Sequence, residues 1–307
     1  MSGADDEVVI RPAETSDRDA VVSFTRDTWP ELGGDYIPRV FDEWLATDGE
    51  TQRTLVAELD GRAVGVCQGV LLTEHEAWAQ GMRVDPDVRG RAISRKLTHG
   101  VFEWATEQGA TVCRNMVFSW NVAGLGQSRA TGFDPLTAFR WAHPEPRADA
   151  EPELDVLSEP DAAWTCFRRS DAFDALRGLG LDDQETWALS ELTRERLRAL
   201  AADNDAVITV ADGEHTRGMT YRVRTFEREN DEGIEETWAE YGVAAWIDDD
   251  ALRSLAAAVA HDAAAEGADR TRILIPETPR HVSDAAYARL GISEEPDFVL
   301  ERELTRY

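Results

Sequence analysis

The chain is short of several features that mark common protein classes. Its 307 residues include three cysteines, and its 32 basic residues, all but one of them arginine, stand against 60 acidic residues. Three widely separated cysteines favour free thiols in a reducing cytosol. The formal net charge of −28 gives a field that repels phosphate backbones and anionic lipid. We therefore expect no nucleic-acid partner and no membrane partner.

Long apolar runs and metal-ligand spacings are also missing. The most alanine-rich run, residues 254–267, is interrupted by His261, Asp262 and Glu266, and the acidic first residues contain no apolar signal segment. No His-Glu-x-x-His or paired Cys-x-x-Cys spacing occurs, so no metal cofactor is expected. We predict a cytoplasmic protein. A carboxylate-rich chain with one lysine is similar to proteins of salt-loving archaea, which predicts a halophilic protein.

An internal repeat is the main organising feature of the chain. Its counterparts follow in the same order at an offset of 159 or 160 residues, as in Glu76-Ala-Trp and Glu236-Thr-Trp, or Gly132-Phe133 and Gly291-Ile292. An amphipathic helix is predicted after each of the two Glu-x-Trp segments. Residues 144–152 contain three prolines and fit an exposed linker. The sequence therefore predicts two domains, at residues 1–145 and 146–307.

The first half shows a regular alternation of predicted elements. Apolar patterning predicts strands near residues 53–59, 63–73 and 76–84, a helix at about 91–108 and a strand near 111–118. The turn after the third of these strands and the start of the helix contain Arg89, Arg91, Arg95 and Lys96 with no acid among them. A strand end, a glycine turn and a helix start expose backbone N–H groups, which favours a pyrophosphate-like anion. The alternative is a solvated basic helix face.

Two motifs in this region resemble the GNAT superfamily of acetyl-CoA-dependent N-acetyltransferases. The strand end Met82-Arg-Val-Asp-Pro86 precedes a loop, Arg89-Gly-Arg-Ala-Ile-Ser94, that is similar to the family's Gln/Arg-x-x-Gly-x-Gly/Ala. Ala92 and Ser94 stand where glycines are usual. The second match runs from Asn121 to Phe133, with Gly124 in place of the family's alanine and Ser128 in place of its tyrosine.

The resemblance implies a fold, a function and a set of site residues. The fold is α+β or α/β, with two tandem units that each have a mixed, mostly antiparallel sheet flanked by helices. The function is direct transfer of an acetyl group from acetyl-CoA to a primary amine of a small molecule or peptide. The residues implied to bind acetyl-CoA are Met82, Arg83, Val84, Arg89, Gly90, Arg91, Ala92, Ile93, Ser94 and Asn121.

The catalytic residues are less well marked than the binding loop. Glu76 is the predicted base, with an exposed cross-strand partner as its alternative role and His75 as a second candidate. Ser128 occupies the position of the family's acidic tyrosine, although a serine hydroxyl is a far poorer acid. Asn121 has a helix cap as its alternative role. Trp29, Tyr36 and Trp120 lie in segments that are expected to border the acceptor pocket.

The second half departs from the family pattern at the position of the loop. It reads Trp246-Ile-Asp-Asp-Asp-Ala-Leu252, and three aspartates repel a pyrophosphate. We therefore interpret it as a degenerate copy. The alternative to an enzyme is a non-catalytic acyl-CoA-binding or regulatory module, and the expected state is a monomer or a homodimer.

Overall fold

Strands form where apolar residues alternate along the chain, and helices form where they recur every three or four positions. The computed structural model describes residues 8–29, 34–204, 206–230 and 232–304. The chain folds into two compact units. Unit 1 comprises Met1–Val117, Asn121–Pro135 and Val299–Tyr307, and unit 2 comprises Phe118–Trp120 and Leu136–Phe298.

Unit 1 is a six-stranded sheet with helices on both faces. Its strands are β1 (Val9–Pro12), β2 (Gln52–Leu59), β3 (Arg62–Leu71), β4 (Glu76–Val84), β5 (Val112–Phe118) and the last strand of the chain, β16 (Asp297–Glu303). Its helices are α1 (Arg18–Thr25), α2 (Ile37–Thr47), α3 (Ile93–Glu107) and α4 (Val122–Ala130). The predicted strands and helix of this half are confirmed to within two residues at each end.

The sheet of unit 1 positions the loop between β4 and α3. Its strand order is β1-β2-β3-β4-β5-β16. The pairs from β1 to β4 are antiparallel, whereas β4 and β5 run parallel. Ile93, Leu97 and Val101 of α3 pack on one face of the sheet, and α1 and α2 cover the other through Val21 and Phe41. A parallel neighbour requires the crossover that the loop and α3 provide.

Unit 2 repeats the same plan with additional elements. Its strands are β6 (Asp134–His143), β7 (Asp155–Leu157), β8 (Leu179–Leu181), β9 (Leu189–Glu191), β10 (Val207–Asp212), β11 (His215–Glu229), β12 (Glu235–Val243), β13 (Ala245–Trp246), β14 (Arg270–Pro276) and β15 (Gly291–Ile292). Its helices are α5 (Pro160–Arg168), α6 (Asp171–Leu176), α7 (Arg194–Asn204), α8 (Asp249–Ala265) and α9 (Pro279–Tyr287).

The sheet of unit 2 follows the order β6-β14-β12-β11-β10-β7. The strands β12 and β14 are parallel and the other pairs are antiparallel. Leu252, Leu255 and Val259 of α8 pack against Tyr241 and Ile273 of this parallel pair. Each unit is therefore a mixed, mostly antiparallel sheet flanked by helices, and the predicted fold class is confirmed.

The compact units are not continuous pieces of the sequence. The chain from Val299 onward belongs to unit 1, whereas the segment from Leu136 onward belongs to unit 2. The domain boundary predicted between residues 145 and 146 stays a prediction, because it separates the two copies of the sequence repeat and not the two compact units. The three cysteines are buried and free. Among the described residues, no helix combines the length and the apolarity that crossing a bilayer requires.

Asp297 is an unusual buried acid of unit 2. Its side chain is 5% exposed. Burial raises its pKa to about 7, although contact with the Trp141 indole and the charge of Arg272 lower it. Since this value exceeds the unfolded pKa of about 3.9, the folded state holds the extra proton between these two values. The contribution of Asp297 to stability therefore falls as the pH rises from about 3.9 to about 7 and then levels.

Asp297→Asn should remove this dependence. We expect the variant to be more stable than the parent, with a gain at pH 8.5 that exceeds the gain at pH 5.5 by roughly 2 kcal/mol. Urea denaturation of both proteins at the two pH values measures the difference. Equal gains at both values would contradict the raised pKa.

Candidate active site

The loop between β4 and α3 is built from a short helical turn and two left-handed residues. After Val84, the Asp85 carboxylate accepts the N–H of Asp87 at 3.0 Å and pairs with Arg62 at 2.8 Å. These bonds start a 3-10 turn at Pro86–Val88. The loop then leads into α3, whose first residue is buried in the core under the sheet. The predicted strand, turn and helix start are thus present.

Gly90 and Ala92 give the loop the backbone shape of an anion site. Their φ angles are +84° and +57°, with a residue of negative φ between them. Alternation of this kind turns successive N–H groups toward one side of the chain. A Cβ added at Gly90 would meet no atom within 4 Å, so this position faces open space. Ala92 is the N-cap of α3 and its methyl group cannot cap the helix. The first N–H groups of α3 lack a capping side chain.

Ala92 carries a cost that a glycine would not. The left-handed conformation costs an L-residue roughly 1–2 kcal/mol. Ala92→Gly removes this cost, but glycine also gains conformational freedom in the unfolded chain, which offsets part of the gain. We therefore expect the free energy of unfolding to rise by up to about 1 kcal/mol. Chemical denaturation measures the change. A loss of stability greater than that of Gly-for-Ala replacement in an ordinary helix would contradict the left-handed assignment.

Cationic side chains surround this loop. Arg89, Arg91 and Arg95 are exposed. Lys96 donates its Nζ to the Val8 carbonyl at 3.1 Å and is therefore tied to the start of β1. These three arginines belong to the loop and to the first turn of α3, where charge and helix dipole both favour an anion.

A gap opens between β4 and β5 next to the loop. Both strands are described in full, and their paired residues run only from Glu76 opposite Val112 to Trp78 opposite Arg114. β4 continues for six residues beyond Trp78 and β5 for four beyond Arg114. A bulge at Gly81, whose φ is +65°, shifts the register between β3 and β4 in the same stretch. The parallel strands therefore separate along the second half of β4.

The residues predicted at the end of β4 lie beside this gap. The side chains of Met82 and Val84 pack toward the α3 core. The Arg83 guanidinium pairs with the buried Asp35 at 2.5 Å and lies 4.4 Å from the centre of the Trp29 ring. Since these side chains are engaged in packing or pairing, the backbone is the part of this segment that is available to a ligand.

Comparison with known proteins identifies this arrangement. The model described as the Acetyltransferase (GNAT) family matches residues 18–126, which include the loop and the gap. Residues 18–126 form a GNAT acetyltransferase domain. We call this segment the GNAT domain. No curated protein matches the chain in sequence.

Solved structures extend the similarity of fold to the whole chain. A candidate acetyltransferase from Thermoplasma acidophilum is similar at a TM-score of 0.59 and 16% identity, over 96% of this chain and 99% of that one. A GCN5-related N-acetyltransferase from Sphaerobacter thermophilus is similar at a TM-score of 0.58 and 14% identity, over 97% of this chain and 96% of that one. At these identities the likeness concerns the fold.

Glu76 lies at the far end of β4 from the loop of the GNAT domain. Its side chain is buried, accepts the Thr73 hydroxyl at 3.1 Å and is ion-paired with Arg114. Arg114 also pairs with Glu301 at 2.6 Å. Six residues separate Glu76 from Met82, which is roughly 20 Å along a strand. The structure does not bring the predicted base and the loop together, and the catalytic role of Glu76 stays a prediction.

The second base candidate, His75, is exposed in the turn before β4. Its catalytic role stays a prediction.

A chain of polar side chains starts at Gln80 in the separated part of β4. Gln80 cannot act as a base, and it donates to Gln68 at 2.8 Å. Gln68 donates in turn to Thr54 at 3.3 Å, and the Thr54 hydroxyl donates to Asp48 at 2.9 Å. A polar chain therefore runs from the gap across β3 and β2.

Ser128 and Asn115 form a pair that the sequence did not indicate. Ser128 of α4 is 1% exposed and accepts the Asn115 amide N–H at 2.9 Å. Asn115 is the first residue of β5 after the pairing with β4 stops. Its Oδ1 atom is buried and has no hydrogen-bond partner among the described residues. The only signal for Asn115 in the sequence is its position as a lone amide in a largely apolar strand.

Asn121 acts as a helix cap in the structure. Its Oδ1 accepts the N–H of Gly124 at 2.9 Å and begins α4. A Cβ at position 124 would come within 2.6 Å of the Asn121 amide nitrogen. This contact explains why glycine suits a position at which the family often has alanine. The alternative role of Asn121 is therefore present, while its cofactor-binding role stays a prediction.

Unit 2 lacks both features of the GNAT domain's site within its described residues. Asp248 caps α8 by accepting the Ala251 N–H at 3.0 Å, and Asp249 and Asp250 add carboxylates to the first turn. The pairing of β12 with β14 continues to Val243 opposite Leu274. The helix start is therefore already satisfied by an acid, and no comparable gap separates the two strands.

Proposed function

We propose that the GNAT domain transfers an acetyl group from acetyl-CoA to a primary amine of a small molecule or peptide. The observation that carries the proposal is the meeting of two features at the end of β4. One is the start of α3, where Gly90 and Ala92 direct uncapped N–H groups outward. The other is the gap beside Met82, Arg83 and Val84.

The residues of the loop fit a pyrophosphate. Backbone N–H groups from Arg89 to Ser94 are the proposed donors, and the open space over Gly90 admits a phosphate close to the chain. The guanidinium groups of Arg89, Arg91 and Arg95 supply charge-assisted bonds. Asn121 is proposed to contribute from the start of α4, beside its role as a cap.

The gap provides the second half of the binding site. An extended pantetheine arm can take the place of the missing strand pairing beside β4, because that stretch of backbone lacks a β5 partner. A backbone N–H of the segment Met82–Val84 is proposed to polarise the thioester carbonyl. Acetyl-CoA supplies the activated acyl group. The chain itself binds, orients and stabilises developing charge, and it has no covalent step.

Proton transfer is proposed for Glu76 and Ser128, with Glu76 acting through a chain of waters because roughly 20 Å of strand separate it from Met82. On this proposal Glu76→Gln should lower kcat about 100-fold, since general-base catalysis contributes that much, while the affinity for CoA stays unchanged. Arg114→Gln, which disturbs the same ion pair and leaves the carboxylate, is the matched control. Steady-state kinetics with thermal unfolding separates the roles. If the Glu76→Gln variant keeps its turnover but unfolds at a lower temperature than the parent, the role of Glu76 is only to pair with Arg114.

A binding module without turnover is the second candidate function. It is favoured by the burial of Ser128 and its bond to Asn115, which leave no exposed acid at the position of the family's tyrosine. A thiol can nevertheless leave as a thiolate, because its pKa is about 8.5. The enzyme therefore does not require a protein acid at this position.

An amine-panel assay distinguishes the two candidates. The full-length protein is mixed with acetyl-CoA and with small primary amines or peptide N-termini, and released CoA thiol is measured. Turnover with any acceptor supports the transferase. Binding of CoA by calorimetry without thiol release across the panel supports the module. We further propose a cytoplasmic monomer or homodimer that is adapted to high salt, which sedimentation and unfolding at graded KCl concentrations would test.

A further inference from the structure

A cavity of about 910 Å³ lies within unit 2, and none of its lining residues belongs to the GNAT domain. It is bordered by the end of β6, one face of α8, the start of β14 and the end of α9. Its volume lies within the range of small-molecule sites, which is roughly 300–1,000 Å³. Its lining includes Glu236, Trp238 and Gly291 of the repeat but no residue of the acetyltransferase motifs.

The charge of the cavity differs from that of the chain as a whole. Four arginines and three acids line it, whereas the chain has 32 basic and 60 acidic residues. The arginines are Arg147, Arg253, Arg270 and Arg289, and the acids are Glu145, Glu236 and Asp269. A local excess of guanidinium groups in a protein of net charge −28 favours an anion at this place.

Two of these arginines are available to a ligand. Arg270 pairs with Glu236 at 3.3 Å, and Arg253 pairs with Asp250 at 3.1 Å. Arg147 and Arg289 are exposed and have no ion pair among the residues that the structure describes. Their backbones are fixed, since the Arg147 N–H donates to the Ala260 carbonyl at 2.8 Å and that of Arg289 to Ala286 at 3.0 Å. Guanidinium groups in this setting suit carboxylate or phosphate oxygens.

Trp238 and His143 add directional groups to the same cavity. The Trp238 Nε1 atom is buried and has no partner within the described part of the chain. An indole N–H only donates, so it calls for an acceptor atom. The His143 Nδ1 lies 2.9 Å from the Thr271 carbonyl, which only accepts. Burial lowers the pKa of His143, so its neutral ring presents Nε2 as an acceptor near pH 7.

One part of the cavity wall is formed by small apolar side chains. Ala256, Ala257 and Ala260 of α8 line the cavity without long side chains. A helix surface of methyl groups lets a flat ring approach closely, as apolar walls do in most ligand sites. The cavity therefore combines an apolar wall with two cations, and the buried Trp238 N–H belongs to one of its lining residues.

We propose that this cavity binds a small organic anion in which a phosphate or carboxylate group is attached to a flat ring. The anionic group pairs with Arg147 and Arg289, and the ring lies against the alanines of α8. This binding proposal does not depend on the proposed acetyltransferase function, and the two are tested independently.

The indole N–H signal of Trp238 gives a local test on the full chain. The ¹⁵N-labelled protein is titrated with phenyl phosphate and with benzoate at constant ionic strength, and Trp238→Phe assigns the signal. We expect a saturable shift with at least one probe, and the probe that binds more tightly identifies phosphate or carboxylate as the preferred group. Phenol, which lacks the anionic group, should bind much more weakly.

The arginines are tested by a double variant. Arg147→Gln with Arg289→Gln should weaken the preferred probe at least about tenfold, the effect of losing charge-assisted hydrogen bonds. Arg26→Gln with Arg39→Gln, two exposed arginines of unit 1, makes the same charge change and should leave the titration unaltered. An unmoved Trp238 signal with both probes at millimolar concentration, or equal binding by the Arg147/Arg289 variant, would overturn the proposal.

Discussion

Arg89→Glu combined with Gly90→Asp is expected to abolish binding of CoA. The first change replaces a cation beside the start of α3 by an acid, and the second puts a carboxylate into the open space over the loop. Loss of a charge-assisted hydrogen bond costs about 1.5–3 kcal/mol. Repulsion between carboxylate and phosphate adds to this loss, so we expect an affinity decrease of more than about 100-fold. Isothermal titration calorimetry with CoA at one fixed salt concentration measures it.

A matched variant controls for charge and for backbone strain. Arg39→Glu with Gly61→Asp makes the same change of net charge and also places Asp at a glycine with positive φ and open surroundings. It should bind CoA like the parent. Unchanged binding by the Arg89/Gly90 variant would exclude this loop as the pyrophosphate site, provided that its circular dichroism matches that of the parent.

Gly81→Ala is expected to disrupt the bulge that accompanies the gap. Gly81 has a φ of +65°, and a Cβ at this position would overlap the Trp44 ring. The left-handed conformation costs an alanine roughly 1–2 kcal/mol, and overpacking adds typically 1–3 kcal/mol. We expect the free energy of unfolding to fall by about 2–5 kcal/mol. Activity should fall as well, because the N–H groups of residues 82–84 follow directly from the bulge.

Gly61→Ala separates the cost of the left-handed conformation from the cost of overpacking. Gly61 has a φ of +76° but no atom within 4 Å of an added Cβ, so this variant carries only the conformational cost. Urea denaturation should show a loss for Gly61→Ala that is about 2 kcal/mol smaller than that for Gly81→Ala. Equal losses in the two variants would show that Trp44 does not constrain the bulge. Trp44→Leu, which makes room, should recover part of the stability of Gly81→Ala.

The local elements of the first half could be predicted because they depend on nearby residues. The apolar alternation of β4, the break at Asp85-Pro86 and the spacing of Ile93, Leu97 and Val101 each act within a few positions. The loop is marked by the same kind of local signal, a cluster of cations next to a glycine. The family model that matches residues 18–126 includes all of these elements.

The partners of individual polar side chains could not be predicted in this way. The ion pair of Glu76 with Arg114 joins residues 38 positions apart, and Arg114 reaches Glu301 over 187 positions. Asn115 and Ser128 meet only because α4 returns over the end of β5. Such contacts depend on which strands become neighbours, and a residue's type does not reveal its neighbour.

The sequence by itself determined the order of the repeated segments, the strand–turn–helix around residues 89–94 and the contrast between a basic loop in one half and three aspartates in the other. These features follow from periodicity and charge along short segments. Only the tertiary structure decided that β4 and β5 separate after Trp78 and that the compact units interleave along the chain. The physical reason is that strand pairing is a long-range choice made by backbone hydrogen bonds, which every residue except proline can form.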